Sequence, residues 1–435
     1  MSRHTALPGF RDFYPEEMAR RNQIFSVWRD VARRYGFEEY DGPPLESLEL
    51  FVEKSGPEIV TQLFNFTDKG EREVALRPEM TPTLVRMLGA KIKGLPKPVR
   101  WFSTPQLFRY EKQQRGRLRE HFQLNMDIVG EGSVLADADL LCAALDVLRS
   151  LGLGPDDIVA RYSDRRLLQH ALLALGVTDE NLPVAYNVID KVERDPREVG
   201  IKRLTEIGLD SSAAEEALEL TSLSLEQIAG RLGPGEITDR ILAELRLYQS
   251  TIGGLGFGEY IRFDMKIVRG LAYYTGIVFE IFDRRGQLRA ICGGGRYDRL
   301  FQSLAGVDVP ALGFGFGDVV LGELLKDRRL AKNYTRSADV CVVAADPAST
   351  IMAIDVVRQM RGGGYSTIFN YRALEGGPVD LGKQLKYASS SGAARAVIVS
   401  WSGEATQLRV KDLATGQQEE LTIQEFQQRY APSQR

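Results

Sequence analysis

The sequence predicts an α+β protein: a mostly antiparallel sheet flanked by helices, interrupted by a helical insertion and followed by a small α/β domain. Three observations carry that expectation. Residues 266–300, KIVRGLAYYTGIVFEIFDRRGQLRAICGGGRYDRL, hold an alternating strand at 277–282, a turn at 283–286 and a return at 288–292, which reads as an antiparallel pair. Strand-like and helical stretches alternate up to residue 162 without the regular spacing of βαβ units. Past residue 338 the alternation is regular, which marks a separate domain.

In chain order, Pro15 opens a helix in which Ile24, Phe25, Trp28, Val31, Ala32 and Tyr35 share one face, and Gly36 stops it. Segments 37–40, 61–68 and 74–76 follow as strands, and a helix starts near Pro82; this is the first part of the sheet domain, residues 1–162. From 163 to 256 the texture becomes helical, with capped stretches at 165–175 and 239–248, and this is the insertion. The sheet pattern resumes over 257–325. Residues 326–337 are polar, basic and aperiodic, a linker. In the last domain, 338–435, strands at 340–344, 365–369 and 396–399 alternate with helices at 347–360 and around 383–389.

Composition narrows the function classes. A chain of 435 residues with 43% hydrophobic and 26% charged content supports two to four globular domains. Its formal charge of −3 gives no global basic footprint, so a nucleic-acid partner has to be met by local arginine clusters. Three widely spaced cysteines in apolar surroundings, Cys142, Cys292 and Cys341, indicate neither a disulfide framework nor a zinc site and suit a reducing, cytoplasmic setting. With only three histidines a protein-bound metal is not expected. The N-terminus has no apolar run of signal-peptide length, and no later stretch approaches the apolar length of a membrane span.

Three clusters carry chemistry. Arg269 and the pair Tyr273-Tyr274 stand at the mouth of the 277–292 hairpin, where arginine can fork two donors onto a carboxylate or phosphate; Gly293, Gly294 and Gly295 admit another backbone or a ligand. The segment 108–123, FRYEKQQRGRLREHFQ, packs four arginines and a lysine into residues 109–119. Arg109 is expected inside a strand, where an unpaired charge is costly and a polyphosphate would satisfy it. In the third cluster, Leu76 to Thr83, Glu79 can accept from an ammonium group, while Thr81 either binds a ligand or caps the helix.

Together these clusters resemble the class II histidyl-tRNA synthetase family. FRYEKQQRGRLREHFQ is similar to the class's motif 2, the segment from Gly36 to Glu46 with Pro43 to its motif 1, and VRGLAYYTGIVFE with GGGRYDRL to the two histidine-specific signatures. KQLKYASSSGAARAVIV and LRVKDLATGQQEEL resemble the family's anticodon-binding domain. The resemblance covers the whole chain. It implies the class II antiparallel sheet and ATP-dependent activation of L-histidine, with Mg²⁺, followed by transfer to tRNA(His) by a homodimer. It also implies residue roles: Arg109 and Arg269 as catalytic arginines; Glu79, Met80, Thr81, Gln123, Asp127, Tyr273 and Tyr274 with them around histidine; Arg109, Glu111 and Arg117 on ATP; Gln114 and Arg119 toward the tRNA acceptor end.

Two departures stand out. The third motif, ALGFGFGDVVLGELL, has Val320 where the family usually has an arginine, in a form that resembles a subgroup from plant organelles and some bacteria. Motif 2 ends His121-Phe122-Gln123, with aromatic and histidine reversed relative to many members, which leaves open which ring meets adenine. The glycines of 313–317 do not match GxGxxG and indicate no dinucleotide loop. Two other readings share the pocket: a histidine-sensing regulatory subunit of ATP phosphoribosyltransferase, and a non-catalytic RNA-binding paralogue. Retention of Arg109, Glu111 and Arg117, together with the 338–435 domain, points away from both.

Overall fold

The computed structural model describes residues 4–110, 116–269, 273–286, 288–334, 337–374 and 380–433. Glu111 and Gln114 lie outside them. The chain divides into two compact units, Met1–Lys332 and Asn333–Arg435.

Among the described residues, twelve strands belong to the larger unit: β1 (Glu38–Glu39), β2 (Leu45–Ser47), β3 (Asn65–Thr67), β4 (Glu73–Leu76), β5 (Val99–Ser103), β6 (Gln106–Phe108), β7 (Glu120–Val129), β8 (Ile158–Asp164), β9 (Ile261–Phe263), β10 (Ile277–Asp283), β11 (Cys292–Arg296) and β12 (Ala311–Gly317). Nine form one sheet in the order β1-β5-β7-β12-β11-β10-β8-β9, with β6 also on β7; β2, β4 and β3 make a small second sheet. The central pairs are antiparallel, and only the edge pairs β1–β5 and β8–β9 are parallel. Neighbours distant in sequence therefore meet, and β7 lies against β12 with Asp127 opposite Gly313.

One face of this sheet is the core. Leu124, Met126 and Ile128 of β7 pack there with Phe314 and Phe316 of β12 and with Trp28 and Val31 of the helix Pro15–Arg34. That helix ends as its sequence indicates, with Gly36 at φ 73°, a conformation few side chains tolerate. Arg296 holds β11 to the helix Val134–Ser150 through a buried ion pair with Asp137, at 2.5 Å. The helices from Arg165–Ala174 to Glu236–Gly254 interrupt the sheet between β8 and β9.

Several expectations need correction. The hairpin's return strand is Cys292–Arg296 and not 288–292, because Ile281 pairs with Cys292 and the glycine triplet is itself a central strand. Strand β6 stops at Phe108, so Arg109 lies just beyond it, its amide donating to the Arg119 carbonyl at 2.9 Å. Segment 61–68 opens as a 3₁₀ turn, Pro57–Gln62, and only Asn65–Thr67 is strand. The polar run from 326 is not a free connector at its start: the helix Asp318–Asp327 continues into it, and Arg328 is buried against Asp157 (2.8 Å) and Asp283 (2.5 Å). Charge there marks a buried ion-pair network.

The smaller unit has a five-stranded sheet in which Ala338–Ala344, Thr367–Phe369 and Ala393–Trp401 are parallel. An antiparallel hairpin of Thr406–Asp412 and Gln418–Glu420 extends it.

Candidate active site

Strand β7 is exposed to two environments at period two. His121, Gln123, Asn125 and Asp127 line a cleft of about 810 Å³, while Phe122 turns the other way onto Phe13, Phe25 and Arg21. Of the two rings at 121–122, the histidine is the one that faces the cleft. Burial and then the charges of Arg109, Arg11 and Arg117 push its pKa down to about 3, so the ring is neutral.

Glycines on the neighbouring strands make room for these side chains. A Cβ on Gly313 would stand 1.9 Å from Asp127 Oδ1, one on Gly315 2.4 Å from Gln123 Nε2, and one on Gly293 1.6 Å from Arg269 Nη1. None of these fits, so the sheet is stripped of side chains where the reactive groups lie flat across it.

Two anionic centres result. Glu79, at the end of the loop before the helix Thr81–Gly89, accepts from Lys54 Nζ. Lys54 is 1% exposed, and its ammonium also sits 4.4 Å from the Tyr273 ring centroid. Burial alone would raise the Glu79 pKa, but Lys54 and Arg109 outweigh it and hold the carboxylate ionised. The second centre is Asp127, which accepts from the Tyr297 hydroxyl; burial dominates there and pushes its pKa up to about 7. Tyr273, Tyr274 and Tyr297 form an aromatic wall, with the Tyr273 centroid 4.7 Å from that of Tyr274 and 5.8 Å from that of Tyr297.

The cations are placed as deliberately. Arg269 has φ 57°, a strained backbone for an arginine, and its Nη1 donates to Glu280 at 2.9 Å. Burial would lower its pKa, yet Tyr274 and Glu280 overcome this and raise it. Arg109 Nε donates to the Pro78 carbonyl at 3.1 Å, which ties motif 2 to the loop carrying Glu79. Behind them Arg11 joins Glu120 (2.6 Å) to Asp318 (2.9 Å), and Asp318 accepts from the Phe122 amide at 2.9 Å. The start of helix Asp318–Asp327 is thus fixed against β7.

Of the residues expected at the site, Glu79, Thr81, Arg109, Arg117, Gln123, Asp127, Arg269, Tyr273 and Tyr274 line this cleft. Thr81 is the first residue of its helix, one past the cap position, which Met80 occupies, and it lines the cleft. Met80 does not line it: 1% exposed, it lies beneath Gly42 and Arg77. Arg119 is not on it either, its guanidinium lying 4.5 Å from the Tyr110 ring centroid. Lys54, Glu280, Asn125 and Tyr297 were not anticipated. Glu280 left a signal, an acid in the middle of the apolar run 277–282, and Tyr297 continues the period of Gly293 and Gly295; Lys54, in a charged helix end, left none.

The arrangement suits a zwitterion beside a polyanion: a carboxylate for an ammonium, a buried acid for a ring N–H, and arginines for phosphate. The family model "Histidyl-tRNA synthetase" matches residues 9–317. A histidine–tRNA ligase of Opitutus terrae is 41% identical over 433 residues, 98% of this chain and 98% of its own length. A chloroplastic/mitochondrial histidine–tRNA ligase of Arabidopsis thaliana is 41% identical over 426 residues, 96% of this chain and 85% of its own. In fold, the crystal structure of histidyl-tRNA synthetase from Nostoc sp. PCC 7120 is similar with a TM-score of 0.81 at 24% identity, covering 99% of this chain and 100% of that one.

Proposed function

This chain belongs to the histidyl-tRNA synthetase family, and from that premise we propose that its cleft activates L-histidine with ATP and passes it to tRNA(His). The observation that carries the reading is the meeting of Glu79, Asp127, Arg109 and Arg269 in one cleft. In the first step a histidine carboxylate oxygen attacks the α-phosphorus and pyrophosphate leaves. Two anions must be screened from each other and aligned, a task for fixed cations that needs no protein base. Arg109 and Arg269 take that role. Glu79 and Thr81 receive the α-ammonium, and Tyr273, Tyr274 and Gln123 enclose the amino acid. Asp127 accepts the imidazole N–H, which apolar side chains lack, so selectivity comes from a buried acceptor they would leave unpaired.

On the nucleotide, Arg117 makes a second phosphate contact, Glu111 reads the adenine amino group and His121 lies against the base; Mg²⁺ arrives with ATP as part of the substrate. In the second step the terminal ribose hydroxyl of the tRNA attacks the histidyl carbonyl and AMP leaves, with Gln114 and Arg119 toward the acceptor end. We assign 338–435 to the anticodon, 163–256 to an insertion facing the tRNA, and the dimer contact to 36–46, where Leu45 is exposed. Three buried free cysteines suit a reducing compartment such as the cytoplasm, and no helix among the described residues is long and apolar enough to cross a membrane.

The relatives' full-length match favours this reading over the regulatory-subunit and RNA-binding alternatives. Histidine-dependent ATP–pyrophosphate exchange by the pure protein tests it. Absence of exchange refutes it, and exchange without charging of tRNA(His) locates the fault at the tRNA interface. Sedimentation at micromolar concentration checks the dimer, which a monomer would contradict.

A further inference from the structure

The first turn of helix Asp318–Asp327 is flanked by arginines on two sides. Val320 Cγ2 lies 3.3 Å from where a Cβ on Gly116 would stand, which sets Arg117 beside that turn. The Gly317 amide donates to the Ile291 carbonyl at 3.4 Å, which brings in Arg289 from the connection before β11. Both arginines line the cleft together with Val319 and Val320. Arg289 is exposed and has no ion pair or hydrogen bond among the described residues. Arg117 feels it directly: burial, then Arg289, then Arg109 lower the Arg117 pKa. Three guanidinium groups thus converge on one stretch of the cleft at an electrostatic cost, and a polyanion recovers that cost when it binds.

We propose that Arg289 is a binding residue for the β- and γ-phosphates of ATP, facing Arg117 across the first turn of that helix. The proposal rests on the assignment of the cleft to ATP. The helix itself offers no cation on this turn, since Val319 and Val320 are the residues it presents to the cleft. A guanidinium carried on the neighbouring connection reaches the same space without having to be buried in the helix packing. Its fork matches two phosphate oxygens, and its exposure before ligand binding keeps its desolvation cost small.

The test is Arg289→Ala, with titration of ATP, ADP and AMP in the presence of Mg²⁺ beside the exchange assay. An exposed group without protein partners leaves the thermal transition and the KM for histidine unchanged. ATP binding is expected to weaken about 10- to 50-fold, the range of a charge-assisted contact, while AMP binding stays within twofold. Arg289→Lys, which keeps the charge but loses the fork, should recover part of the loss. ATP affinity within twofold of wild type in Arg289→Ala overturns the proposal, as does an equal loss for AMP. A wild-type protein that binds ATP more tightly than AMP yet fails histidine-dependent exchange would refute the reaction assigned to the cleft and leave the phosphate contact standing.

Discussion

Along β7, odd and even positions do different work. His121, Gln123, Asn125 and Asp127 border the cleft, whereas Phe122, Leu124, Met126 and Ile128 face aromatic and aliphatic side chains on the other side. The odd face is expensive to fold: Asp127 is a buried acid with one hydroxyl donor, and the strands beside it carry glycines that contribute no packing. The even face is what makes that cost tolerable, since each buried aliphatic side chain there is worth on the order of 2 kcal/mol. A single ten-residue strand therefore separates stability from chemistry by alternation. Substitutions on the two faces should therefore fail in different assays.

The largest effect is expected at the cleft's cationic end. Arg269→Ala removes a cation from the developing charge, and histidine activation should fall about 10²- to 10³-fold. The thermal transition should move little, because the side chain's partner Glu280 is partly exposed and can be hydrated. Near-normal pyrophosphate exchange would refute the role. Next comes Gly313→Ala. The added methyl meets Asp127 Oδ1 at 1.9 Å and the Tyr297 hydroxyl at 3.0 Å, so the carboxylate must shift. A displacement of that size costs about 10²-fold, and it should be read in the KM for histidine while the ATP KM stays put. Equal changes in both constants would mean that the glycine matters only to the sheet.

A smaller effect follows from Asp127's ionisation. The carboxylate accepts an imidazole N–H far more strongly than the protonated acid does, so with a pKa near 7 the KM for histidine should drop by up to about tenfold between pH 6 and pH 8. Stability runs the opposite way. The folded chain holds this proton up to about pH 7, whereas the unfolded carboxyl loses it near 3.8; the group therefore favours folding below that value, and the contribution, on the order of 4 kcal/mol, is lost as pH rises through 7. Asp127→Asn should flatten the decline of unfolding free energy between pH 4 and pH 7. An unchanged slope would mean that the site is wetter than its burial indicates.

The sequence made the odd face of β7 readable further than the residues that support it. Arg109, Gln123, Asp127 and Arg269 were recognisable because their types are unusual in strands or at strand ends and because they fall in motifs. The glycine triplet was legible as room for a ligand or another backbone, and backbone oxygens of Gly313 and Ile277 do crowd Gly294 and Gly295, but an isolated strand pattern does not tell that the Arg269 side chain crosses Gly293, nor that Asp127 and Gln123 cross Gly313 and Gly315 of β12. Lys54 was illegible for a different reason. Its helix, Leu48–Ser55, carries Glu49, Glu53 and Lys54, an ordinary solvated pattern, and the burial of Lys54 arises from the loop of Glu79 and from Tyr273, more than 200 residues away. Local periodicity holds no record of such a contact.

The mildest expected effect on activity is also the most direct challenge to the two-face division. Met126 lies between Asn125 and Asp127, is fully buried and belongs to the core face. Met126→Ala leaves a cavity among close-packed neighbours, and unfolding free energy should fall by about 2–5 kcal/mol. Met126 does not itself line the cleft, and β7 is held on both sides by β5 and β12, so the backbone under Asp127 has little freedom to follow the cavity. At a temperature where the variant remains folded, kcat and the KM for histidine should therefore stay within about twofold of wild type. A larger rise in KM would show that strain passes through the strand from the packed face to the reactive one. Stability and specificity in β7 would then be coupled, and the cost of Asp127 would have to be assigned to both faces together.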